Sequence, residues 1–280
     1  MFRGRIRSIH FIGIGGVGMS GIAEALDNVL GDGIDASTIS LVSLSTTLAT
    51  NALVEGVGGR VALVFIGFAE AELERGGLRE GLGDAPVILV AGGHDSLGAE
   101  VTPPDLDALT EAATALAATG QVDAFAVASQ FSVRNPIHEL QARDALGALG
   151  RPVACGHELS AKLNGPKRAL TCLLNAKLIG LIAELCQAAE TILAERNIDA
   201  PLMIVRGDGS LVSAAFAKNR PIETNLSGPA ASLIGAGHLT GAEAIVVSDI
   251  GGTTTDVGVL SDGRPSVSTN GATVGGHQTM

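Results

Sequence analysis

Between residues 60 and 155, short apolar runs of β type alternate with segments of helical pattern. A helix between two strands returns the chain to the same end of a sheet, so the strands it joins run parallel. Strands buried on both faces read as continuous apolar runs, as these do. The chain is therefore predicted to be an α/β protein with a mainly parallel sheet covered on both faces. The β-type runs are residues 60–66, 86–90, 124–128 and 152–154, and the helical patterns are residues 106–119 and 136–149.

The composition narrows the class of partner. The chain has 280 residues, enough for one large or two medium domains. Only 2% of residues are aromatic, so base-stacking surfaces are not expected, and a formal net charge of −11 disfavours a polyanionic partner. No apolar run approaches the roughly 20 residues of a membrane helix, and no signal-peptide pattern opens the chain. A cytoplasmic protein without a nucleic-acid or membrane partner is predicted.

The three cysteines show neither a pairing rhythm nor a metal-ligand spacing. They are Cys155, Cys172 and Cys186, and the last two fall on nearly the same face of a long predicted helix over residues 169–196. We expect reduced, buried thiols that pack in the core.

Residues 245–260 carry the pattern that most favours chemistry. Two apolar runs, residues 245–247 and 257–260, flank a Gly/Thr-rich turn and predict a β-hairpin. Glycine lets backbone N–H groups approach a ligand closely, and the threonine hydroxyls can surround phosphate oxygens. Asp249 and Asp256, one on each side of the turn, have the oxygen ligands that Mg²⁺ prefers. An ordinary hairpin with two solvated carboxylates is the alternative. The phosphate-binding candidates are Gly251, Gly252, Thr253, Thr254 and Thr255.

Other candidate residues follow predicted strands at their carboxyl ends, where ligands gather in parallel sheets. His157 and Glu158 follow the run at 152–154, and Asp208 lies in a Gly-rich turn after residues 201–205. Each is a candidate substrate contact, with an ordinary loop residue as the alternative. For His94 and Asp95 a solvated loop is the favoured interpretation. Residues 164–168 are interpreted as a turn with a basic spot and a domain boundary.

Near the N-terminus, an apolar strand, a Gly-rich turn and a helix follow one another. Gly13, Gly15 and Gly18 fit the dinucleotide fingerprint G-x-G-x-x-G, but the acidic residue that should follow is absent. Residues 5–26 resemble the opening of the UDP-N-acetylmuramate–alanine ligases, in which this loop binds the UDP-sugar. No P-loop follows in the sequence, so the ligase interpretation lacks its ATP site.

From residue 31 onward, the motifs resemble the hydantoinase/oxoprolinase A family of ATP-dependent cyclic-amide hydrolases, in the family's order and over about nine-tenths of the chain. That family is similar to the actin/Hsp70/sugar-kinase superfamily, whose two RNase-H-like lobes close on ATP. In that comparison residues 249–256 form the second phosphate hairpin, and Ser227 and Gly228 join the cofactor-binding set. The matching stretches are residues 43–56, 157–163, 168–175, 203–210, 225–235 and 248–257.

The resemblance also implies what is missing. The first phosphate hairpin should lie where the ligase-like segment stands, and the adenosine-binding stretch would lie beyond Met280. The expectation is a truncated actin/Hsp70-like (RNase-H-like) ATPase fold, with a first lobe lacking its phosphate hairpin and an incomplete second lobe. The expected domains are a Gly-rich segment (1–30), an N-terminal-type α/β domain (31–165) and the start of the ATPase-type domain (166–280).

The resemblance implies ATP-dependent hydrolysis of a cyclic amide, such as a hydantoin or 5-oxoproline, through a phosphorylated amide. ATP and Mg²⁺ would be the cofactors, Asp249 and Asp256 would hold the metal through water and act in catalysis, and a B-type subunit would be a partner. A ketone carboxylase subunit shares this architecture. The alternatives are a UDP-sugar-binding ligase fragment and an inactive pseudo-enzyme.

Overall fold

The computed structural model describes residues 8–11, 23, 24, 27, 28, 35–250, 255–266, 268 and 271–280, with the backbone alone for residues 8–11, 255 and 256. The chain divides into two compact units. The first unit is Met1–Ala52 with Leu181–Thr269, and the second is Leu53–Gly180 with Asn270–Met280. The predicted Gly-rich turn at residues 13–21 lies outside the described residues.

Strands and helices alternate through the described part of the chain. The strands are β1 (Ser8–Phe11), β2 (Leu41–Leu44), β3 (Val61–Ile66), β4 (Val87–Val90), β5 (Ala124–Ser129), β6 (Val153–Cys155), β7 (Leu202–Val205), β8 (Leu211–Ser213), β9 (Ile245–Ile250), β10 (Thr255–Ser261), β11 (Arg264–Pro265), β12 (Thr273–Val274) and β13 (His277–Gln278). The labelled helices are α1 (Leu48–Glu55), α2 (Leu78–Leu82), α3 (Leu106–Ala118), α4 (Ile137–Gly147), α5 (Gly156–Leu159), α6 (Gly165–Glu195), α7 (Ala214–Asn219) and α8 (Ser227–Thr240). Short 3-10 turns lie at Ala36–Thr38, Glu70–Glu74 and Pro221–Thr224.

The second unit is built on the predicted parallel sheet. Its strands lie in the order β4-β3-β5-β6, and every pair is parallel. All residues of β3 and β5 are buried. Phe125 and Val127 of β5 pack with Leu109 of α3 and Leu146 of α4 in one core cluster. The central strands are apolar except for Ser129 at the end of β5, as expected for strands that protein covers on both faces.

The first unit carries a second sheet and a separate hairpin. The sheet has the order β1-β2-β7-β8, in which β1, β2 and β7 are parallel and β8 is antiparallel to β7. The hairpin of β9 and β10 adds the short β11 and forms a three-stranded antiparallel sheet. The predicted hairpin is thus confirmed, with longer strands than the apolar runs indicated.

Helix α6 corrects two expectations. Residues 165–168 form its first turn and not a loop. Within the described residues, α6 is also long and apolar enough to cross a membrane by length and composition alone, although the sequence was expected to contain no such run. In its most apolar window, 61% is buried inside the protein, and core helices pass the same test. The buried Leu170, Cys172 and Leu174 show that much of its apolar surface already has protein partners.

Candidate functional site

The hairpin of β9 and β10 places the two predicted metal-binding residues opposite each other. In the antiparallel register Asp249 pairs with Asp256, and Ile250 pairs with Thr255. The turn that joins the strands, with Gly251, Gly252, Thr253 and Thr254, lies outside the described residues. The assignment of these four residues to phosphate therefore stays a prediction.

A cavity of about 220 Å³ lies beside this hairpin within the first unit. Helix α8 supplies Pro229 and Ser232 to its wall, the hairpin supplies Asp249, and the turn after β7 supplies Gly207. The Ser232 hydroxyl donates a hydrogen bond to Asp249 Oδ2 at 3.0 Å. Helix α8 thus holds the carboxylate of Asp249 at the rim of a space that can accept a ligand.

Ser45, which follows β2, and Asn225, which follows the 3-10 turn Pro221–Thr224, contribute unpartnered polar atoms to the same unit. Ser45 Oγ and Asn225 Oδ1 are buried and lack a hydrogen-bond partner among the described residues. A Cβ on Gly207 would lie 2.3 Å from the carbonyl oxygen of Asn225, so only glycine fits this approach. Buried polar atoms without partners are rare and call for an explanation, such as an absent ligand or water.

Ser227 and Gly228, predicted to bind the cofactor, open helix α8. The Ser227 hydroxyl donates to the carbonyl oxygen of Thr46 at 2.9 Å and accepts from the Thr46 amide at 3.3 Å. The hydroxyl therefore joins α8 to the loop after β2. The helix N-cap is Leu226, with φ of 60°, a left-handed conformation that is uncommon for a bulky residue. Leu226 lines the cavity, and strain of this kind collects at functional sites.

Asp208, a candidate substrate contact, is held within its own turn in the first unit. Its Oδ1 accepts hydrogen bonds from the Ser210 amide at 2.9 Å and the Ser210 hydroxyl at 2.6 Å. Partial burial raises the pKa of Asp208, but these hydrogen bonds and the charge of Arg206 outweigh burial and lower it. The carboxylate stabilises the turn that brings Gly207 to the cavity.

His157 and Glu158 follow β6 in the second unit, at the strand end where the sequence placed them. The amide of His157 donates to Glu139 Oε2 at 2.8 Å, and its Nδ1 lies 2.6 Å from the same oxygen. Glu158 forms an ion pair with Arg143 at 2.9 Å. A buried carboxylate therefore fixes His157, whereas Glu158 pairs at the surface of α4.

Sequence reasoning missed the two charged residues at the centre of this edge, Glu139 and Arg168, which are 0% and 1% exposed. Glu139 Oε1 accepts from the Ser129 amide at 2.8 Å, and Arg168 Nη2 donates to the Ser129 carbonyl oxygen at 3.1 Å. Burial lowers the pKa of Arg168, and the nearby Glu139 opposes this change. Residues 164–168 were interpreted as a turn with a basic spot, but Arg168 is buried, and apolar spacing gives no signal for a buried charge.

Glu139, Cys155 and His157 offer three atoms close enough together to hold a metal ion, all within 4.8 Å of one another. The donors do not fit a cation. Glu139 Oε2 already receives the His157 amide, and burial raises the pKa of the Cys155 thiol far above its usual value. The Arg168 guanidinium also lies beside Glu139. All three cysteines are free and buried, as predicted.

His94 is buried, contrary to the expectation of a solvated loop. It is 1% exposed, and its ring lies 4.0 Å from that of His138, centroid to centroid. Burial lowers the pKa of His94, and the neighbouring His138 acts in the same direction. The Gly93 amide donates to His138 Nδ1 at 3.1 Å, which leaves Nε2 to donate to Glu100 Oε1 at 2.8 Å. The loop after β4 that carries His94 therefore packs against His138 of α4.

Two α/β units, with a Gly/Thr hairpin beside a cavity in the first, define the class of protein. Family models match nearly all of the chain: "Hydantoinase/oxoprolinase N-terminal region" over residues 18–150 and "Hydantoinase/oxoprolinase" over residues 168–280. The chain belongs to the hydantoinase/oxoprolinase family.

Relatives of known activity show how much of a whole enzyme the chain spans. It is 27% identical to the caprolactamase subunit alpha of Pseudomonas jessenii over 271 residues, which are 90% of the chain and 38% of that subunit. The solved ATP-dependent caprolactamase from that organism matches with a TM-score of 0.69 and 25% identity, over 86% of this chain and 38% of that one. A nucleotide-free acetone carboxylase shares the fold, with a TM-score of 0.80 and 18% identity, over 98% of this chain and 46% of that one. The chain therefore spans less than half the length of these proteins.

The ligase resemblance at the N-terminus also has a counterpart. The UDP-N-acetylmuramate–L-alanine ligase of Sorangium cellulosum is 77% identical over 26 residues, which are 9% of this chain and 6% of that enzyme. The ligase of Geotalea uraniireducens is 38% identical over 93 residues, 33% of this chain and 16% of that enzyme. The match to the Geotalea ligase is thus longer than the 22 residues (5–26) over which the resemblance was predicted.

Proposed function

We propose that the first unit binds the phosphates of ATP with Mg²⁺, and that the chain contributes this site to the ATP-dependent hydrolysis of a cyclic amide. The observation that carries the proposal is the cavity beside the hairpin, with Asp249 at its rim. The unpartnered oxygens of Ser45, which follows β2, and of Asn225 belong to the same unit and support it. Ligands of α/β sheets bind at the carboxyl ends of parallel strands such as β2.

The described residues fit a hydrated Mg²⁺ ion. Asp249 has two carboxylate oxygens, one of which accepts the hydrogen bond from Ser232. Asp256 is the register partner of Asp249 across the hairpin. Mg²⁺ takes oxygen ligands and keeps several waters, so a pair of carboxylates with open space beside it suits the ion.

ATP would supply the phosphoryl group that converts the oxygen of an unreactive ring amide into a leaving group. The protein's part in such transfers is positioning and electrostatic stabilisation. Asp249 and Asp256 would orient the metal, Ser232 would orient Asp249, and the turn at residues 251–254 would contact phosphate. Family membership and the ATP dependence of the caprolactamase relative support this assignment, an actin/Hsp70-like arrangement and a B-type partner subunit.

Calorimetry with ATP–Mg²⁺, ADP and a UDP-sugar tests this proposal against the ligase alternative, which the 26-residue match favours. We expect ATP–Mg²⁺ to bind the 280-residue chain and Asp249→Asn to weaken that binding at least about tenfold, or about 1.4 kcal/mol. Removal of Mg²⁺ should weaken binding to a similar extent, because the carboxylates then repel the phosphates.

Asp262→Asn is the matched control, since it removes the same charge at a residue that is exposed in the turn between β10 and β11. Its φ of 51° suits asparagine. ATP binding unchanged by Asp249→Asn, or binding of the UDP-sugar alone, would contradict the proposal. The second outcome would favour a ligase-type nucleotide-sugar site.

A further inference from the structure

A second cavity, of about 410 Å³, lies within the second unit at the carboxyl end of its parallel sheet. From β3 the chain continues to β4 on one side, and from β5 it continues to β6 on the other, so β3 and β5 flank the topological switch point. Open α/β sheets bind ligands in the crevice at such a point. Phe68, just after β3, and Gln130 and Phe131, just after β5, line this cavity.

Arg168 gives this cavity a fixed, buried positive charge. Its Nη1 donates to the Lys162 carbonyl oxygen at 3.2 Å and its Nη2 to that of Ser129 at 3.1 Å, so the guanidinium is held from two sides. Its Nε is buried and has no acceptor within the part of the chain that the structure describes. Arg168 itself lines the cavity. A ligand in the cavity can therefore supply the acceptor that this N–H group lacks.

Arg75 and Glu72 add opposite charges to the lining, and the more exposed Arg75 favours an anion. Arg75 lines the cavity with a side chain that is 71% exposed, and it is 3.6 Å from Glu72, an ion pair too open to neutralise it fully. Asn164 and Gly165, at the start of the 31-residue helix α6, form another wall, and the partial positive charge of a helix N-terminus points outward there. Glu139 compensates Arg168, but its oxygens already face Ser129 and His157.

Two aromatic rings give the cavity flat, apolar walls. Phe68 stacks on Phe65 with 4.0 Å between ring centroids, and a Cβ on Gly165 would lie only 2.4 Å from the Phe68 ring, which fixes the ring against α6. Phe131 has φ of 55°, a left-handed conformation that a bulky residue rarely adopts. A strained backbone persists where its surroundings impose it, often at a ligand site.

We propose that this cavity is a second small-molecule site, which binds a compact organic carboxylate with a flat apolar body. The carboxylate would accept from Arg168 Nε and pair with Arg75, and the flat body would lie against Phe68 and Phe131. The volume is within the range of small-molecule pockets. This site is independent of the nucleotide site proposed above, because all of its residues belong to the second unit.

Ligand-observed NMR and calorimetry without nucleotide test the proposal, with benzoate as the probe and benzamide as its neutral counterpart. Benzoate should bind the full chain at least about tenfold more tightly than benzamide, a difference of about 1.4 kcal/mol. The Arg168 Nε–H resonance, assigned by its absence in Arg168→Lys, should shift with benzoate. Inorganic phosphate should bind more weakly than benzoate, because it gains nothing from the rings.

Variants at the rim avoid the risk that loss of the buried Arg168 unfolds the chain. Arg75→Ala should weaken benzoate several-fold, and Phe131→Gly should weaken it while removing backbone strain. Arg79→Ala is the control, because Arg79 has a comparable exposed ion pair with Glu74 but does not line the cavity. Equal binding of benzoate and benzamide, absence of benzoate binding, phosphate binding as tight as benzoate, or an equal loss in Arg79→Ala would each overturn the proposal. ATP binding remains measurable in every case, so failure here is distinct from failure of the nucleotide site.

Discussion

The two cavities, one in each unit, are charged in opposite ways. In the first unit, Asp249 lies at the cavity rim and its register partner is Asp256, so the cation must come from the ligand. In the second unit the cation is part of the protein, because Arg168 is buried beside Glu139. The surroundings differ as well, since β5 is wholly buried while Ile250 and Val257 of the hairpin are 76% and 68% exposed. A rigid, covered edge can hold a buried charge, whereas an exposed hairpin leaves its carboxylates to be neutralised from solution.

The largest expected effect tests whether stability is concentrated in the second unit. Phe125→Ala removes a fully buried ring from the core cluster and should lower the free energy of unfolding of that unit by about 3–5 kcal/mol. Val257→Ala, on the exposed face of the hairpin, should change stability by no more than about 0.5 kcal/mol. Urea unfolding followed by circular dichroism measures both changes. Similar losses in the two variants would show that the hairpin is as well packed as the sheet.

The next prediction tests whether the second edge depends on the buried charge of Glu139, which lies near Arg168. Glu139→Gln leaves Arg168 without its counter-charge in a buried environment, and we expect a loss of about 3 kcal/mol. Glu158→Gln, three residues beyond the end of β6 but in a partly exposed pair with Arg143, should cost no more than about 1 kcal/mol. The same urea titrations report both values. If the two variants were equally stable, Glu139 would have no special role at this edge.

The smallest expected effect is a pH dependence at the opposite, amino end of β3. Hydrogen bonds from the Arg60 side chain and amide lower the pKa of Asp123 from 3.8 to about 2. Because the folded pKa is the lower one, this stabilisation is present above about pH 4 and is lost as the pH falls towards 2. Both side chains are largely exposed, so we expect less than about 1 kcal/mol. Urea unfolding from pH 5 to pH 2 measures the stability difference between the wild type and Asp123→Asn. This difference should become smaller as the pH falls. A difference that stays constant would show that the Arg60–Asp123 pair is not the source of the pH dependence.

Periodicity and strand composition were enough to predict much of the fold. The apolar runs of β3, β4, β5 and β6 stand out because a buried parallel strand has no polar face, and the hairpin was visible from its two runs and Gly/Thr turn. Two helix starts were less visible. The first turn of α6 contains Gly165 and Pro166, which favour a turn in sequence, yet proline is well tolerated at the start of a helix. Helix α8 begins at Ser227, whose hydroxyl bonds to the backbone of Thr46, far away in sequence.

The residues of the candidate sites also divide into those that could be predicted from sequence and those that could not. Asp249 and Asp256 could be named from sequence because carboxylates that flank a glycine-rich turn form a local pattern, and the hairpin register then places them opposite each other. Glu139, Arg168 and His94 could not be named, because a buried charge or imidazole is recognised by what surrounds it. Glu139 lies only ten residues from Ser129, but Arg168 meets the same residue across 39 positions.

The sequence by itself therefore determined the family, the parallel α/β pattern and the acidic hairpin, all of which depend on neighbouring residues and their spacing. The tertiary structure alone decided which polar groups are buried and which of them lack a partner. Burial and hydrogen bonding depend on segments distant in the chain that meet at a sheet edge, where desolvation sets the cost of every unpaired polar group. That is why the carboxylates of the hairpin were predicted, and the buried arginine of the second unit was not.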